Sequence, residues 1–434
     1  MESISTALSV VLSLDYILAV VSGSVVGLIF GAIPGLTFSM ALALMLPVTF
    51  ALEPANAIAL LLGTYIGGMT GGSVSAILLG IPGTPSAAAT VFDGHPMSKR
   101  GQASVALGGA LLASVFGGLF SLAAMVLVAG PVASLAINFG PAEIFALVLF
   151  GLSTICGLAE RSLVRGLIGG ILGIMLMVVG LDAIDAVPRM TFGSTQLLQG
   201  VNLVVAMIGL FAVPEVLNAF QRPPARTTGG ATKVQATLPT LAQLKANLGL
   251  MCRCAGIGTG IGAIPGTGGP IAAFLAYDHA RRFSRNRANF GKGEFAGVLA
   301  PETANNAVTG GAMIPLLTLG IPGDPATAVI LGGFLIHGIT PGPMLFRTDL
   351  AQVHTIYLGF ALAYLVVLVV QLYGIRLFVR VLQIPPHYLA VGIMVMCAIG
   401  SYAIRNSIFD VYLMVAMGLL GYLLNRLRIP VAPV

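Results

Sequence analysis

The stretch TGGSVSAILLGIPGTP at residues 70–85 recurs later in the chain as TGGAMIPLLTLGIPGDP at residues 309–325. A shorter motif is repeated in the same way, since GLIFGAIPGLT at 27–37 matches GTGIGAIPGTG at 258–268. The two matches occur in the same order, about 231 and 240 residues apart, which indicates a duplicated half. The chain is therefore predicted to fold as two related halves.

The composition indicates that these halves fold in a membrane and not in water. Of 434 residues, 57% are hydrophobic and only 8% are charged, and the mean hydropathy is +0.99. Soluble domains carry about 25% charged residues, so a soluble globule, disorder, a coiled coil and a disulfide-rich secreted fold are excluded. We predict an all-α polytopic membrane protein with about 12–14 transmembrane segments in two inverted-topology repeats, with broken helices and re-entrant hairpins.

Apolar runs long enough to span a membrane recur along the whole chain. The first half, residues 1–220, has predicted helices at 12–31, 36–52, 55–80, 101–130, 132–158, 164–182 and 198–219. A basic linker at 221–247 precedes the second half, residues 248–434, which has predicted helices at 248–265, 268–282, 294–320, 350–380, 387–403 and 408–425. The second half is one segment short, which predicts a missing C-terminal segment, through truncation or an error in the count.

Loop charge predicts the orientation of the halves. The loop at 52–56 has no Lys or Arg, whereas its counterpart at 281–287 has four Arg residues. Because loops rich in Lys and Arg stay in the cytoplasm, the second loop and the basic linker are predicted to be cytoplasmic and the first loop external. The two halves are therefore predicted to be inverted relative to each other.

Both GAIPG motifs place two Gly and a Pro inside an apolar stretch, where a helix must break. A broken helix at membrane depth lies in the protein interior or beside a watery cavity, and its free N–H groups bind anions. The alternative is a Pro-kinked helix that only packs closely. The predicted substrate-binding residues at these breaks and at the LGIPG turns are Gly35, Thr37, Gly83, Thr84, Ser86, Gly266, Thr267 and Gly323.

Polar residues inside the apolar runs predict an ion-binding site. Asp324 stands where the first copy has Thr84, and a carboxylate inside a membrane is costly enough to indicate function. Asn305 and Asn306 are adjacent, and their amide oxygens suit a hard cation such as Na⁺. The alternatives are a helix N-cap or a surface turn for Asp324 and a helix–helix clasp for the two Asn residues. The stretch 93–96 reads as a polar turn.

Motifs for catalysis and for nucleotide binding are absent from the sequence. It contains no HExxH, no GxSxG and no GxxxxGK[ST], so neither a membrane-embedded hydrolase nor the use of ATP is supported. We predict no enzyme activity, no cofactor and no nucleic-acid partner. No metal is predicted apart from a transported Na⁺, and H⁺ is the alternative co-transported ion.

The repeated motifs together resemble the large membrane subunit of the tripartite tricarboxylate transporters, the TctA family. The matching pieces are GAIPGLT at 31–37, YIGGMTGGSVSAILLGIPGTPSAAATVFDGHPM at 65–97, PETANNAVTGGAMIPLLTLGIPGDP at 301–325 and ITPGPMLF at 339–346. The resemblance implies a multi-pass carrier of the bacterial inner membrane that takes up di- or tricarboxylates with an Na⁺ or H⁺ gradient. It also implies two partners, a small four-helix membrane subunit and a periplasmic substrate-binding protein.

Two other classes of function stay open at this stage. One is a stand-alone secondary carboxylate carrier without a binding protein, which uptake by this chain alone would favour. The other is a non-transporting membrane scaffold or channel, which saturable counterflow would argue against.

Overall fold

The computed structural model describes residues 2–34, 36–140, 142–143, 145–146, 149, 163–182, 185, 187–221, 236–381, 386–429 and 431, and these residues are mostly helical. In chain order, the helices are α1 Glu2–Val11, α2 Leu14–Ala32, α3 Phe38–Thr49, α4 Pro54–Leu79, α5 Ala88–Lys99, α6 Ala103–Ala136, α7 Leu163–Met177, α8 Leu203–Met207, α9 Val213–Gln221, α10 Leu241–Gly262, α11 Gly268–Phe283, α12 Ala296–Leu319, α13 Pro325–Ile336, α14 Leu345–Thr348, α15 Leu350–Val381, α16 Pro386–Arg405 and α17 Ile408–Arg426. Short 3₁₀ turns stand at Pro85–Ala87, Leu197–Gln199 and Arg287–Asn289.

The long predicted segments are helices close to their predicted bounds. The prediction at 55–80 corresponds to α4, that at 294–320 to α12 and that at 350–380 to α15. Among the described residues, five helices are long and apolar enough to cross a membrane: α2, α4, α6, the part Leu350–Ile375 of α15, and α17. The prediction of an all-α polytopic membrane protein is confirmed.

Four helices were not predicted from the sequence: α1, α5, α13 and the four-residue α14. Helices α5 and α13 have 12 residues each, too few for the roughly 20 residues of a full span, so a search for spanning runs passes over them. The polar turn predicted at 93–96 is wrong, because these residues lie inside α5 and Asp93 is buried.

Other bounds also differ from the prediction. Helix α10 begins at Leu241, inside the predicted linker, because Thr240 and Gln243 form a capping box that starts it early. The predicted helix at 198–219 is α8 and α9, joined by a π turn. Of the predicted helix at 132–158, residues 141, 144, 147–148 and 150–158 lie outside the described residues. No strand was expected, but Gly180–Leu181 (β1) and Pro188–Arg189 (β2) pair antiparallel for two residues each.

Helices α4 and α12 form the centre of the molecule. Every residue of α12 from Gly297 to Thr318 is buried, as is the whole of the most apolar 18-residue window of α4. A helix that is buried on all sides has no solvent-exposed polar face, so the polar side chains of α12, such as Glu302 and Asn305, lie inside the protein. Helices α2, α3 and α15 pack around α4, and helices α6, α10 and α11 pack around α12.

Helices α2 and α4 approach until their backbones touch. A Cβ on Gly27 would collide with the carbonyl oxygen of Thr64, and one on Gly71 would stand 2.6 Å from that of Leu28. Glycines spaced by four residues along both helices allow this approach, as in the close packing of membrane helices.

The same contacts recur in the second half, between α10 and α12. Gly258 faces the carbonyl oxygen of Ala304, and Gly311 faces that of Thr259. The positions in α10 follow those in α2 by 231 residues, and the positions in α12 follow those in α4 by 240. These are the offsets of the GAIPG and LGIPG motifs, so matching residues make matching contacts. The inversion of the halves across the membrane stays a prediction.

Candidate functional site

The two LGIPG motifs form two tips of the same kind. At each tip, a central helix ends and a short helix begins. Helix α4 ends at Gly80 with φ +69°, and α12 ends at Gly320 with φ +70°, a left-handed conformation that glycine adopts without steric cost. Pro85 and Pro325 then begin the next helical turn, where the missing N–H group costs nothing. We call residues 80–87 the first tip and residues 320–327 the second tip.

Both GAIPG motifs interrupt a helix, the first between α2 and α3 and the second between α10 and α11. The predicted residue Thr37 caps α3, accepting a hydrogen bond of 3.2 Å from the backbone N–H of Met40. The predicted residue Thr267 donates to the freed carbonyl oxygens of Ile261 and Ile264, the latter at 2.8 Å. Both hydroxyl groups therefore satisfy the backbone at the interruptions.

Each tip rests on the interrupted helix of its own half. A Cβ on Gly83 would collide with the carbonyl oxygen of Gly31, and one on Gly323 would stand 3.0 Å from that of Gly262. The predicted residue Gly266 also donates its N–H group to the carbonyl oxygen of Gly323 at 2.8 Å. The equivalent predicted residue in the first half, Gly35, lies outside the described residues.

The first tip meets the second half of the chain in a buried polar cluster, which we call the Asn305 cluster: Met69, Thr84, Ser86, Gly269 and Asn305. The hydroxyl oxygens of Thr84 and Ser86 lie 3.3 Å apart, and both side chains are buried. A Cβ on Gly269, in the first turn of α11, would stand 2.6 Å from Asn305 Oδ1 and 2.9 Å from Ser86 Cβ. The predicted residues Thr84 and Ser86 of the first half are thus brought together with the predicted residue Asn305 of the second half.

Asn305 has an unused acceptor in this cluster. Its Nδ2 donates to the carbonyl oxygen of Met69 at 3.2 Å, whereas its Oδ1 is buried and has no hydrogen-bond partner in the described structure. A buried polar atom without a partner is costly, and such atoms point to a ligand or to water. Nearby, the N-cap position of α11, Thr267, makes no side-chain capping bond, which leaves the N–H groups of the first turn uncapped.

Asn306 is engaged in a clasp between helices. Its Oδ1 accepts from the hydroxyl of Thr70 at 2.9 Å, and its Nδ2 donates to the carbonyl oxygen of Glu302 at 3.1 Å. Tyr364 of α15 donates to its carbonyl oxygen at 3.1 Å. The two adjacent Asn residues therefore differ, because the Asn306 side chain is fully used and that of Asn305 is not.

Asp324 caps α13 and bonds to the first half of the chain. Its Oδ1 accepts from the N–H group of Thr327 at 2.7 Å, and its Oδ2 accepts from the hydroxyl of Tyr65 at 2.8 Å. The carboxyl group is therefore both a helix cap, as one of the sequence alternatives had it, and the contact between the second tip and α4.

Sequence reasoning missed Tyr65 as a partner of the second tip. Tyr65 precedes Asn305 by 240 residues, the offset that also relates Gly83 to Gly323. Each central helix thus contributes one polar side chain to the tip of the other half. Applying the repeat offset to Asn305 could have singled out Tyr65.

No basic side chain bonds to the polar groups of the two tips in the described residues. In the described ranges, no Lys, Arg or His side chain donates a hydrogen bond to Thr84, Ser86, Asn305 or Asp324. The ion pairs found there, Arg189–Asp182, Arg282–Asp278 and Arg405–Asp410, involve none of these residues. Hydroxyl groups, helix N-termini and amide oxygens are the groups that the tips offer to a ligand.

Comparison with known proteins gives one family. The model of the tripartite tricarboxylate transporter TctA family matches residues 17–434. An uncharacterized 52.8 kDa protein in the TAR-I ttuC' 3' region of Agrobacterium vitis is 36% identical over 428 residues, which are 99% of this chain and 84% of that protein. An uncharacterized protein in the TAR-II ttuC' 3' region of the same organism is 40% identical over 176 residues, 41% of this chain and 73% of that protein. No solved structure matches the chain.

Proposed function

The chain belongs to the tripartite tricarboxylate transporter TctA family, and we propose that it is the large transmembrane subunit that takes up di- and tricarboxylates across the bacterial inner membrane. An ion gradient drives uptake, and a periplasmic binding protein supplies the substrate. The transporter family gives no support to an enzymatic role. The two partners are the binding protein and a small four-helix membrane subunit, which the tripartite assembly of the family supports.

The observation that carries this proposal is the Asn305 cluster. Two buried hydroxyl groups, from Thr84 and Ser86, stand beside the uncapped first turn of α11. Hydroxyl groups and free N–H groups at a helix N-terminus bind carboxylates without a fixed positive charge. The substrate therefore binds between the first tip and α11, with the Thr84 and Ser86 hydroxyl groups and the N-terminus of α11 as its donors.

Ion coupling is supported because no basic side chain in the described residues bonds to the polar groups of the tips. A di- or tricarboxylate brings two or three negative charges, and transferring them into a buried site without compensation is prohibitive. The unused Oδ1 of Asn305 and the carbonyl oxygen of Met69 are acceptors that suit a cation. A co-transported cation near Asn305 offsets the substrate charge. The acidic side chain of Asp324, at the second tip, is a further group that contributes to cation binding.

Movement of one half against the other alternates access to this site. Each tip contacts its own interrupted helix and the central helix of the other half, so relative motion of the halves changes both tips together. Such motion around a fixed site is the general mechanism of carriers with two related halves.

Uptake into proteoliposomes tests the proposal. The full assembly and this chain alone are compared with a panel of radiolabelled di- and tricarboxylates, with and without inward Na⁺ and pH gradients. Uptake that requires both the binding protein and a gradient supports the proposal. Uptake by this chain alone makes it a stand-alone carrier, and a gradient-independent leak without saturable counterflow makes it a channel.

A pair of matched variants tests the site in the same assay. Thr84→Ala removes a cluster hydroxyl, whereas Thr318→Ala removes a buried hydroxyl that only bonds to the carbonyl oxygen of Ile314 in its own helix. Thr84→Ala is expected to reduce uptake with normal membrane expression, and Thr318→Ala is expected to leave uptake unchanged. Equal uptake by the two variants contradicts the site assignment.

A further inference from the structure

The carboxyl group of Glu302 is a buried polar group that the proposed site does not use. Glu302 lies on α12, one turn before Asn305, and is 0% exposed. Thr90 of α5 donates to its Oε1 at 2.5 Å, and Oγ of Ser114 of α6, which donates to the carbonyl oxygen of Ala110 at 2.8 Å, lies 3.3 Å from its Oε2. Three helices therefore meet at one carboxyl group.

No positive charge compensates this group. Throughout the described part of the chain, no Lys, Arg or His side chain bonds to Glu302, which is the one titratable residue of α12, and α6 has none between Ala103 and Ala136. In the described residues, no titratable or charged group on the other helices packed against α12 bonds to the Glu302 side chain. Asp93 bonds to Tyr277, His95 to the carbonyl oxygen of Ile77, Tyr65 to Asp324, Asp278 to Arg282 and Tyr364 to Thr309. The other such groups on these helices are Lys99, Lys245, Cys252, Arg253, Cys254, His279, Arg281 and Arg347.

The packing around Glu302 suits a proton better than a metal cation. Hard cations such as Ca²⁺ and Mg²⁺ take about six or more oxygen ligands, but only two hydroxyl groups reach this carboxyl group. Helix α6 lies so close that a Cβ on Gly117 would collide with the carbonyl oxygen of Thr303. A neutral carboxylic acid is far less costly in such a place than an uncompensated carboxylate.

We propose that Glu302 is a proton-binding residue of the transport cycle, neutral in this structure, and that it releases its proton to water when the first tip moves away from α12. The step breaks the O–H bond of the carboxyl group and transfers the proton to a water molecule, leaving a carboxylate that the water solvates. The proposal rests on the proposed function and names the residue through which a pH gradient acts.

Glu302 is linked to the first tip in two ways, through its hydrogen-bond partner Thr90 and through its neighbour Asn305 on α12. Thr90 of α5 follows Ser86, which lies in the 3₁₀ turn that leads into α5, by about one turn, and on α12, Glu302 precedes Asn305 by about one turn. Side chains three or four residues apart share a helix face. The contacts of the carboxyl group and of the Asn305 cluster therefore join the same two segments. Loss of the proton requires these segments to separate and admit water, and regaining it favours their closure.

Two measurements on the Glu302→Gln variant test this proposal, with Glu53→Gln as the matched control, because Glu53 is an exposed carboxylate at the start of α4. Infrared difference spectra of the full chain in detergent report the C=O band of protonated carboxyl groups at neutral pH. Uptake by the full assembly in proteoliposomes reports stimulation by an inward pH gradient, and counterflow without a gradient reports substrate exchange.

We expect Glu302→Gln to lose a protonated-carboxyl band and the stimulation by the pH gradient while keeping counterflow, because Gln has the shape of the neutral acid. Glu53→Gln is expected to match the wild type in all three. An unchanged infrared band, or an unchanged response to the pH gradient, overturns the proposal.

The variant Thr90→Val and the wild-type assembly cover the cases in which Glu302→Gln does not reach the membrane or the assembly does not transport. If Glu302→Gln does not reach the membrane, Thr90→Val, which removes one hydroxyl partner, must shift the pH at which the infrared band disappears; an unshifted band overturns the proposal. If the wild-type assembly takes up no carboxylate, the proposed function fails, and the infrared comparison still decides whether Glu302 holds a proton.

Discussion

Tyr65 and Asp324 are 259 positions apart in the chain, and the hydroxyl of Tyr65 donates a hydrogen bond of 2.8 Å to Oδ2 of Asp324. Both side chains are buried, and the bond joins central helix α4 to the second tip. Asn305 of α12 stands in the matching place beside the first tip, where its Oδ1 is without a partner. The two tips thus differ chemically, since one is closed by an internal hydrogen bond and the other has an acceptor open to a ligand.

Tyr65→Phe is expected to lower uptake while leaving the protein folded. The change leaves the Asp324 carboxyl group short of one donor, which costs about 1–3 kcal/mol, equivalent to a roughly 5- to 150-fold change in an equilibrium. Uptake in proteoliposomes is the measurement. Tyr16→Phe is the control, because Tyr16 is also buried but its hydroxyl bonds to the carbonyl oxygen of Thr355. A loss of uptake that is equal in the two variants would refute a role specific to Asp324.

Replacing each of the two adjacent Asn residues is expected to have opposite effects on uptake and stability. Asn305→Ala removes the unused acceptor and one bond to Met69, so uptake should fall while the melting temperature stays close to that of the wild type. Asn306→Ala removes the partners of Thr70 and of the Glu302 carbonyl oxygen, which should destabilise the fold by about 1–3 kcal/mol. Thermal unfolding in detergent and uptake assays separate the two. Normal uptake by Asn305→Ala would remove this residue from the site.

Gly83→Ala is expected to displace the first tip and lower stability. The added methyl group would collide with the carbonyl oxygen of Gly31, and an overpacked contact costs about 1–3 kcal/mol. Gly130→Ala is the control, because nothing lies within 4 Å of the position where its Cβ would stand. The melting temperature should fall for Gly83→Ala and hold or rise for Gly130→Ala. The same drop in both variants would mean that the tip does not depend on this contact.

Asp93→Ala is expected to expose the segment before α12 to proteolysis. The Asp93 carboxylate accepts three hydrogen bonds of 2.8 Å each, from the backbone N–H groups of Gly293 and Glu294 and from the hydroxyl of Tyr277. Without it, trypsin should cleave faster after Lys292. Asp278→Ala, which removes only an exposed ion pair with Arg282, is the control. Cleavage at the wild-type rate in Asp93→Ala would show that these bonds do not hold the segment.

Much of the architecture could be predicted from the sequence, because apolar runs of sufficient length and a shortage of charge leave few alternatives to membrane helices. The helix interruptions at both GAIPG motifs followed from the chemistry of Gly and Pro. Helices α5 and α13 could not be predicted in this way, because they are too short to span a membrane and owe their stability to burial against α4 and α12. The same applies to Asp93, whose polar sequence surroundings gave no sign that its partners lie two hundred residues away.

The sequence by itself determined that the chain is a helical membrane protein, where its helices break and which residues repeat, because these depend on local composition and on the conformational limits of Gly and Pro. It also supplied the candidates Thr84, Ser86, Asn305, Asn306 and Asp324. Only the tertiary structure decided what each of them contacts. The structure engages Asn306 in a clasp and leaves an acceptor of Asn305 without a partner. It also forms the Tyr65–Asp324 bond and buries Glu302 between two hydroxyl groups. The reason is that a polar atom inside a membrane protein is defined by its partners, and those partners come from helices far apart in the chain.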